Sequence, residues 1–91
     1  MANTIELSHG ELRAISEACT KLIAQFDHAR EAAGLTKAEL ARRAHYQPEA
    51  VRRILTDDRA NPTMATLVRL ADALGMELAL VPKRQADRPA K

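Results

Sequence analysis

Residues 36–56 read Thr36-Lys37-Ala38-Glu39-Leu40-Ala41-Arg42-Arg43-Ala44-His45-Tyr46-Gln47-Pro48-Glu49-Ala50-Val51-Arg52-Arg53-Ile54-Leu55-Thr56. Thr36 followed three positions later by Glu39 is a capping box, in which each side chain satisfies an amide at the start of a helix. The helix is expected to run to about Ala44, with Leu40, Ala41 and Ala44 turned inward. His45-Tyr46-Gln47 breaks it. Pro48 suits the first turn of a second helix, where its missing amide has no partner to lose. That helix is expected to reach about Thr56 with Ala50, Val51 and Ile54 buried, leaving Gln47, Glu49, Arg52, Arg53 and Thr56 outward. The stretch is therefore two short helices joined by about three residues. The first has small residues for close packing, and the second has a polar face.

On the N-terminal side, Ser8 with Glu11 is another capping box. Apolar residues then recur at Leu12, Ile15, Cys19, Leu22, Ile23 and Phe26, the three- and four-residue gaps of a helical stripe. This segment ends at Gly34, which suits a left-handed cap. The pattern fits either one long helix or two joined near Thr20. Cys19 lies on the stripe and is expected to be packed.

On the C-terminal side, Asp57 to Pro62 is turn-rich. Thr63 caps a further helix carrying Met64, Leu67, Leu70, Ala71 and Leu74, which Gly75 ends. Met76, Leu78 and Leu80 then alternate with Glu77, Ala79 and Val81, a period of two that predicts a strand over residues 76–81. A lone strand leaves its backbone unpaired, so pairing with the same strand of a second copy is expected, burying Met76, Leu78 and Leu80. The expected organisation is a flexible arm over residues 1–7, one domain over 8–81, and a basic, disordered tail over 82–91.

Composition sets the outer limits. The 91 residues are enough for one domain, and they carry a net charge of +2 and a single cysteine. The aromatics are Phe26 and Tyr46, and the abundance of Ala, Leu, Arg and Glu points to an all-α class. One cysteine and no signal-peptide pattern fit a cytoplasmic protein, and no apolar run approaches membrane-spanning length. His9, His28 and His45 lack metal-ligand spacing. With no Gly-rich phosphate loop and no nucleophile in a recognisable setting, the reading is a non-enzyme that needs no cofactor.

A tight connection sets two short helices at a steep angle. The second can then enter a DNA major groove while the first crosses the backbone. In this arrangement the chain resembles the Cro/C1-type (XRE) helix-turn-helix family. The resemblance rests on Arg30-Glu31-Ala32-Ala33-Gly34-Leu35-Thr36, Glu39-Leu40-Ala41-Arg42-Arg43-Ala44 and Ala50-Val51-Arg52-Arg53-Ile54-Leu55. It continues through Asn61-Pro62-Thr63, Thr66-Leu67, Leu70-Ala71 and Ala73-Leu74-Gly75, and covers roughly Phe26 to Gly75. It implies a compact bundle of about five helices that binds double-stranded DNA as a homodimer.

Carried over by position, the family's base-reading residues fall on Gln47, Pro48, Glu49 and Arg53. Lys37 falls where the family places a phosphate-contacting glutamine. Arg43, Arg52 and Arg59 are phosphate candidates from their charge and position. Three residues depart from the pattern: His45 replaces a turn glycine, Pro48 lacks a donor, and Leu55 replaces a glutamate that pairs with the arginine at position 30. The expected C-terminal strand resembles that of type II antitoxins, in which such a strand joins two subunits. The resulting expectation is a sequence-specific repressor of its own promoter, on a roughly palindromic operator, with an added role as the antitoxin of a toxin protein. The alternative is a protein-interaction module that keeps the fold but does not read DNA.

Overall fold

The computed structural model describes residues 7–57 and 60–83. The expected arm before Leu7, the phosphate candidate Arg59 and the tail from Arg84 onward lie outside the described residues. Among the described residues four helices follow one another: α1 (His9–Ala32), α2 (Lys37–Ala44), α3 (Pro48–Thr56) and α4 (Met64–Ala73). The expected number was about five. Residues 9–32 form one continuous helix, because nothing near Thr20 interrupts the backbone hydrogen bonds.

Local chemistry sets the boundaries. Ser8 and Glu11 close a capping box on α1, and Thr36 and Glu39 close one on α2. Thr63 Oγ1 accepts from the Thr66 amide at 3.1 Å to start α4. Three helix ends share one device. After α1, Leu35 N–H donates to Arg30 O and Gly34 N–H to Glu31 O. After α2, Tyr46 N–H donates to Ala41 O and His45 N–H to Arg42 O. After α4, Met76 N–H donates to Ala71 O and Gly75 N–H to Asp72 O. Each is a Schellman motif, which needs one left-handed residue. Gly34 and Gly75 take that conformation at φ 74°, and His45 takes it at φ 64°.

The core gathers Phe26 from α1, Leu40, Ala41 and Ala44 from α2, Val51 from α3, and Leu70 and Ala71 from α4. Leu40, Val51 and Leu70 are the largest fully buried side chains. Helix α2 is the hub: it packs on both α3 and α4, and α1 packs on α3. The two buried alanines on α2, Ala41 and Ala44, allow this close approach on both sides.

Three expectations change. Ala50 is exposed rather than inward. The buried face of α3 is centred on Val51 and bounded by Ile54 and Leu55, and residues advance roughly 100° each around a helix, which carries Ala50 past the edge. Cys19 is exposed. The first half of α1 extends beyond the other helices, so Leu12 and Ile15 keep 51% and 50% of their surface exposed. Among the described residues no strand forms, and 76–83 carries no regular structure. No other described segment offers a strand here a ladder partner. Instead Leu78 turns onto the core, while Met76 and Leu80 stay exposed.

Candidate nucleic-acid interface

The polar face of α3 is fixed by what its other face buries. Val51 is fully buried, with Ile54 and Leu55 packed against the core. This leaves Gln47, Glu49, Ala50, Arg52, Arg53 and Thr56 around one open depression that ends at Asp57. Three of the four expected base-reading residues, Gln47, Glu49 and Arg53, and the phosphate candidate Arg52 therefore meet on one surface. Pro48 is half-buried at the first position of α3 and does not line the depression.

The charges on this surface are not equivalent. Arg52 Nη1 donates to Glu49 Oε2 at 3.0 Å, one turn apart and exposed to solvent. An exposed pair of this kind contributes little stability, about 0–1 kcal/mol. It does partly neutralise the Glu49 carboxylate, which would otherwise repel a phosphate backbone. Arg53 has no hydrogen-bond or ion-pair partner among the described residues, so its five donors are open. Gln47 is the N-cap of α3 but makes no side-chain cap bond, and its amide has no hydrogen-bond partner among the described residues. Thr56 Oγ1 is committed, since it donates to Arg52 O at 2.7 Å.

Elsewhere the phosphate candidates separate. Arg43 is exposed near the end of α2, and Lys37 is half-buried at its first position. Neither lines the depression on α3. At the start of α2, Glu39 Oε1 accepts from the Thr36 amide at 2.7 Å. The backbone hydrogen bond from Thr36 holds the Glu39 carboxyl below its ordinary pKa, with help from the Thr36 hydroxyl and from Arg42 and Arg43.

The turn between α2 and α3 is held from α4. Tyr46 is half-buried, and its hydroxyl donates to Thr66 Oγ1 at 3.1 Å. The Arg69 guanidinium lies 4.1 Å over the Tyr46 ring. Its Nη2 donates to Ala44 O at 2.9 Å and to His45 O at 3.1 Å. Sequence reasoning missed Arg69, which meets this turn from more than twenty residues away.

Arg30 has also found partners. It is buried, and its Nε donates to Asp27 Oδ1 at 2.8 Å while Nη1 donates to Leu35 O at 2.6 Å. Among the described residues, no cluster of His, Cys, Asp and Glu is placed to hold a metal ion. No helix there is long and apolar enough to cross a membrane. A family model described as a helix-turn-helix domain matches residues 22–83. No curated protein and no solved structure matches the chain.

Proposed function

The chain belongs to the helix-turn-helix domain family, of the Cro/C1 type, and on that premise we propose that it is a sequence-specific transcriptional regulator that reads double-stranded DNA through α3. The observation that carries this reading is the exposed guanidinium of Arg53, without a partner among the described residues, beside Gln47 on the face of α3 turned away from the core. An arginine presented in this way matches the O6 and N7 acceptors of guanine. Gln47 and Glu49 are the neighbouring base-edge candidates. Lys37, Arg43, Arg52 and Arg59 supply backbone contacts, which give affinity without sequence information.

The regulator acts as a homodimer on a two-fold operator and represses its own promoter. A single short helix reads too few base pairs to find one site, and two copies about 34 Å apart read successive major grooves. Supporting this, Met76 and Leu80 remain exposed in the single chain while Leu78 packs on the core. The segment 76–81 can therefore pair with its symmetry mate while anchored to its own domain. A further role as an antitoxin rests on this same C-terminal ending.

A titration of DNA fragments against the protein tests the reading. Preference for the fragment upstream of its own gene over random duplex, kept at moderate salt, is the expected result. Equal affinity for both contradicts it. The second reading, a protein-interaction module, is favoured by the Glu49–Arg52 pair and by the apolar stripe that α1 leaves open. It predicts no retarded band on any genomic fragment.

A further inference from the structure

We infer that Arg69 is a positioning residue for DNA reading. It holds the α2–α3 turn in the left-handed conformation that His45 would otherwise adopt at a cost, and so fixes the angle at which α3 is presented. The inference rests on α3 being the reading helix, and deepens that proposal.

The argument starts from the turn. The Schellman motif at the end of α2 requires a left-handed residue at position 45, and histidine carries a Cβ that glycine lacks. The turn therefore needs outside support that the other two Schellman ends, built on Gly34 and Gly75, do not. That support comes from α4. The carbonyls of Ala44 and His45 lie past the last intrahelical hydrogen bond, where a helix concentrates its partial negative charge. Arg69 Nη2 donates to both of them. The same guanidinium stacks on Tyr46, the next residue of the turn, at 4.1 Å from the ring centre.

A second tie runs from the first turn of α4. Tyr46 Oη donates to Thr66 Oγ1, and Thr66 Oγ1 lies 3.0 Å from Thr63 Oγ1 at the N-cap. Arg69 and Thr66 sit three residues apart and so share a face of α4. Between them they hold all three parts of the turn: its two carbonyls, its aromatic ring and its phenol. Gln47 and Pro48 follow directly, so any relaxation of the turn rotates the whole reading face of α3. None of these bonds reaches the exposed surface of α3, so Arg69 acts through geometry.

The test uses the full chain and a duplex that the wild-type protein selects from a random pool. Arg69→Ala is expected to weaken binding about tenfold, the factor that matches the left-handed penalty of a non-glycine residue, with the salt dependence unchanged. The Tyr46 amide, which donates to Ala41 O, is expected to exchange with solvent about tenfold faster in this variant. Adding His45→Gly is expected to return both quantities to within about twofold of wild type, because glycine needs no clamp. Arg69→Lys keeps the charge and the aliphatic stem but loses the planar donor, so it is expected to fall between wild type and the alanine variant.

Unchanged affinity and unchanged Tyr46 exchange in Arg69→Ala would overturn the inference. So would a loss of affinity accompanied by a salt slope smaller by about one and no rescue by His45→Gly, which would make Arg69 a phosphate contact. If the wild type selects no duplex, the DNA reading fails, and Tyr46 exchange in the same variants still decides whether Arg69 holds the turn.

Discussion

Arg30 and Asp27 form an ion pair within α1, Nε to Oδ1 at 2.8 Å, and the arginine side chain is only 10% exposed. The sequence carries Leu55 in α3 where the family pattern has a glutamate that answers this arginine. The structure supplies the missing charge from one turn earlier on the same helix. A Leu35 carbonyl takes a second donor. A buried guanidinium is tolerated only when its donors are met, so the Asp27 carboxylate stands in for the lost partner.

Removing that carboxylate should therefore be costly. Asp27→Ala leaves a mostly buried charge short of one acceptor and is expected to destabilise the domain by about 1–3 kcal/mol. Urea unfolding measures this directly. The double variant with Arg30→Leu should recover part of the loss, since replacing both partners removes the unmet charge. A loss no larger than that of an exposed pair would show that solvent already satisfies Arg30.

Leu40 and Ile15 provide a contrast between two apolar side chains on two helices. Leu40 is fully buried at the hub of the fold, whereas Ile15 is half exposed on the projecting part of α1. Leu40→Ala is expected to cost about 2–5 kcal/mol through lost transfer energy and an unfilled cavity. Ile15→Gln is expected to change stability by no more than about 0.5 kcal/mol in dilute protein. Thermal unfolding of both variants at the same concentration compares them. A large effect of Ile15→Gln that grows with concentration would mean that the stripe is covered in an oligomer.

Glu39 makes a prediction about pH. Its carboxyl is held below the ordinary value of 4.5, first by the Thr36 backbone hydrogen bond. A group whose folded pKa is depressed contributes stability that is present above its unfolded pKa and lost as pH falls through the folded one. The contribution of the α2 cap should therefore fade below about pH 4.5. Glu39→Gln keeps a reciprocal cap but does not titrate. Its melting temperature should accordingly fall less than that of wild type between neutral pH and pH 3. Parallel pH profiles for the two proteins would argue that the cap does not depend on the carboxylate charge.

What could be read from the sequence follows the range of the interactions. The two capping boxes and the helix-ending glycines at 34 and 75 each depend on residues within about four positions, and all were legible. The two short helices and the inward set Leu40, Ala41, Ala44 and Val51 were legible from helical period. Ala50 was misplaced because Leu55, not Ala50, completes the buried face of α3, and an alanine carries little information about which side it takes. Cys19 was misplaced because a periodic stripe reports that a helix is amphipathic, not that something lies against it. The expected strand at 76–81 follows from a period of two, but strand pairing depends on a partner, and none lies among the described residues. Arg69 reaches carbonyls 24 and 25 residues away, and backbone carbonyls leave no trace in a sequence.

The central claim is that α3 reads base pairs, with Arg53 as a reader. The most direct measurement is the affinity of wild type and Arg53→Ala for a set of duplexes, each differing from the selected site at one base pair. The account predicts that wild type discriminates at several positions. It also predicts that Arg53→Ala loses about 1–3 kcal/mol of discrimination at one base pair of each half-site and keeps the rest. Equal weakening by Arg53→Ala on every duplex would reduce Arg53 to a phosphate contact, and equal affinity of the wild type for all duplexes would contradict sequence reading by α3 altogether.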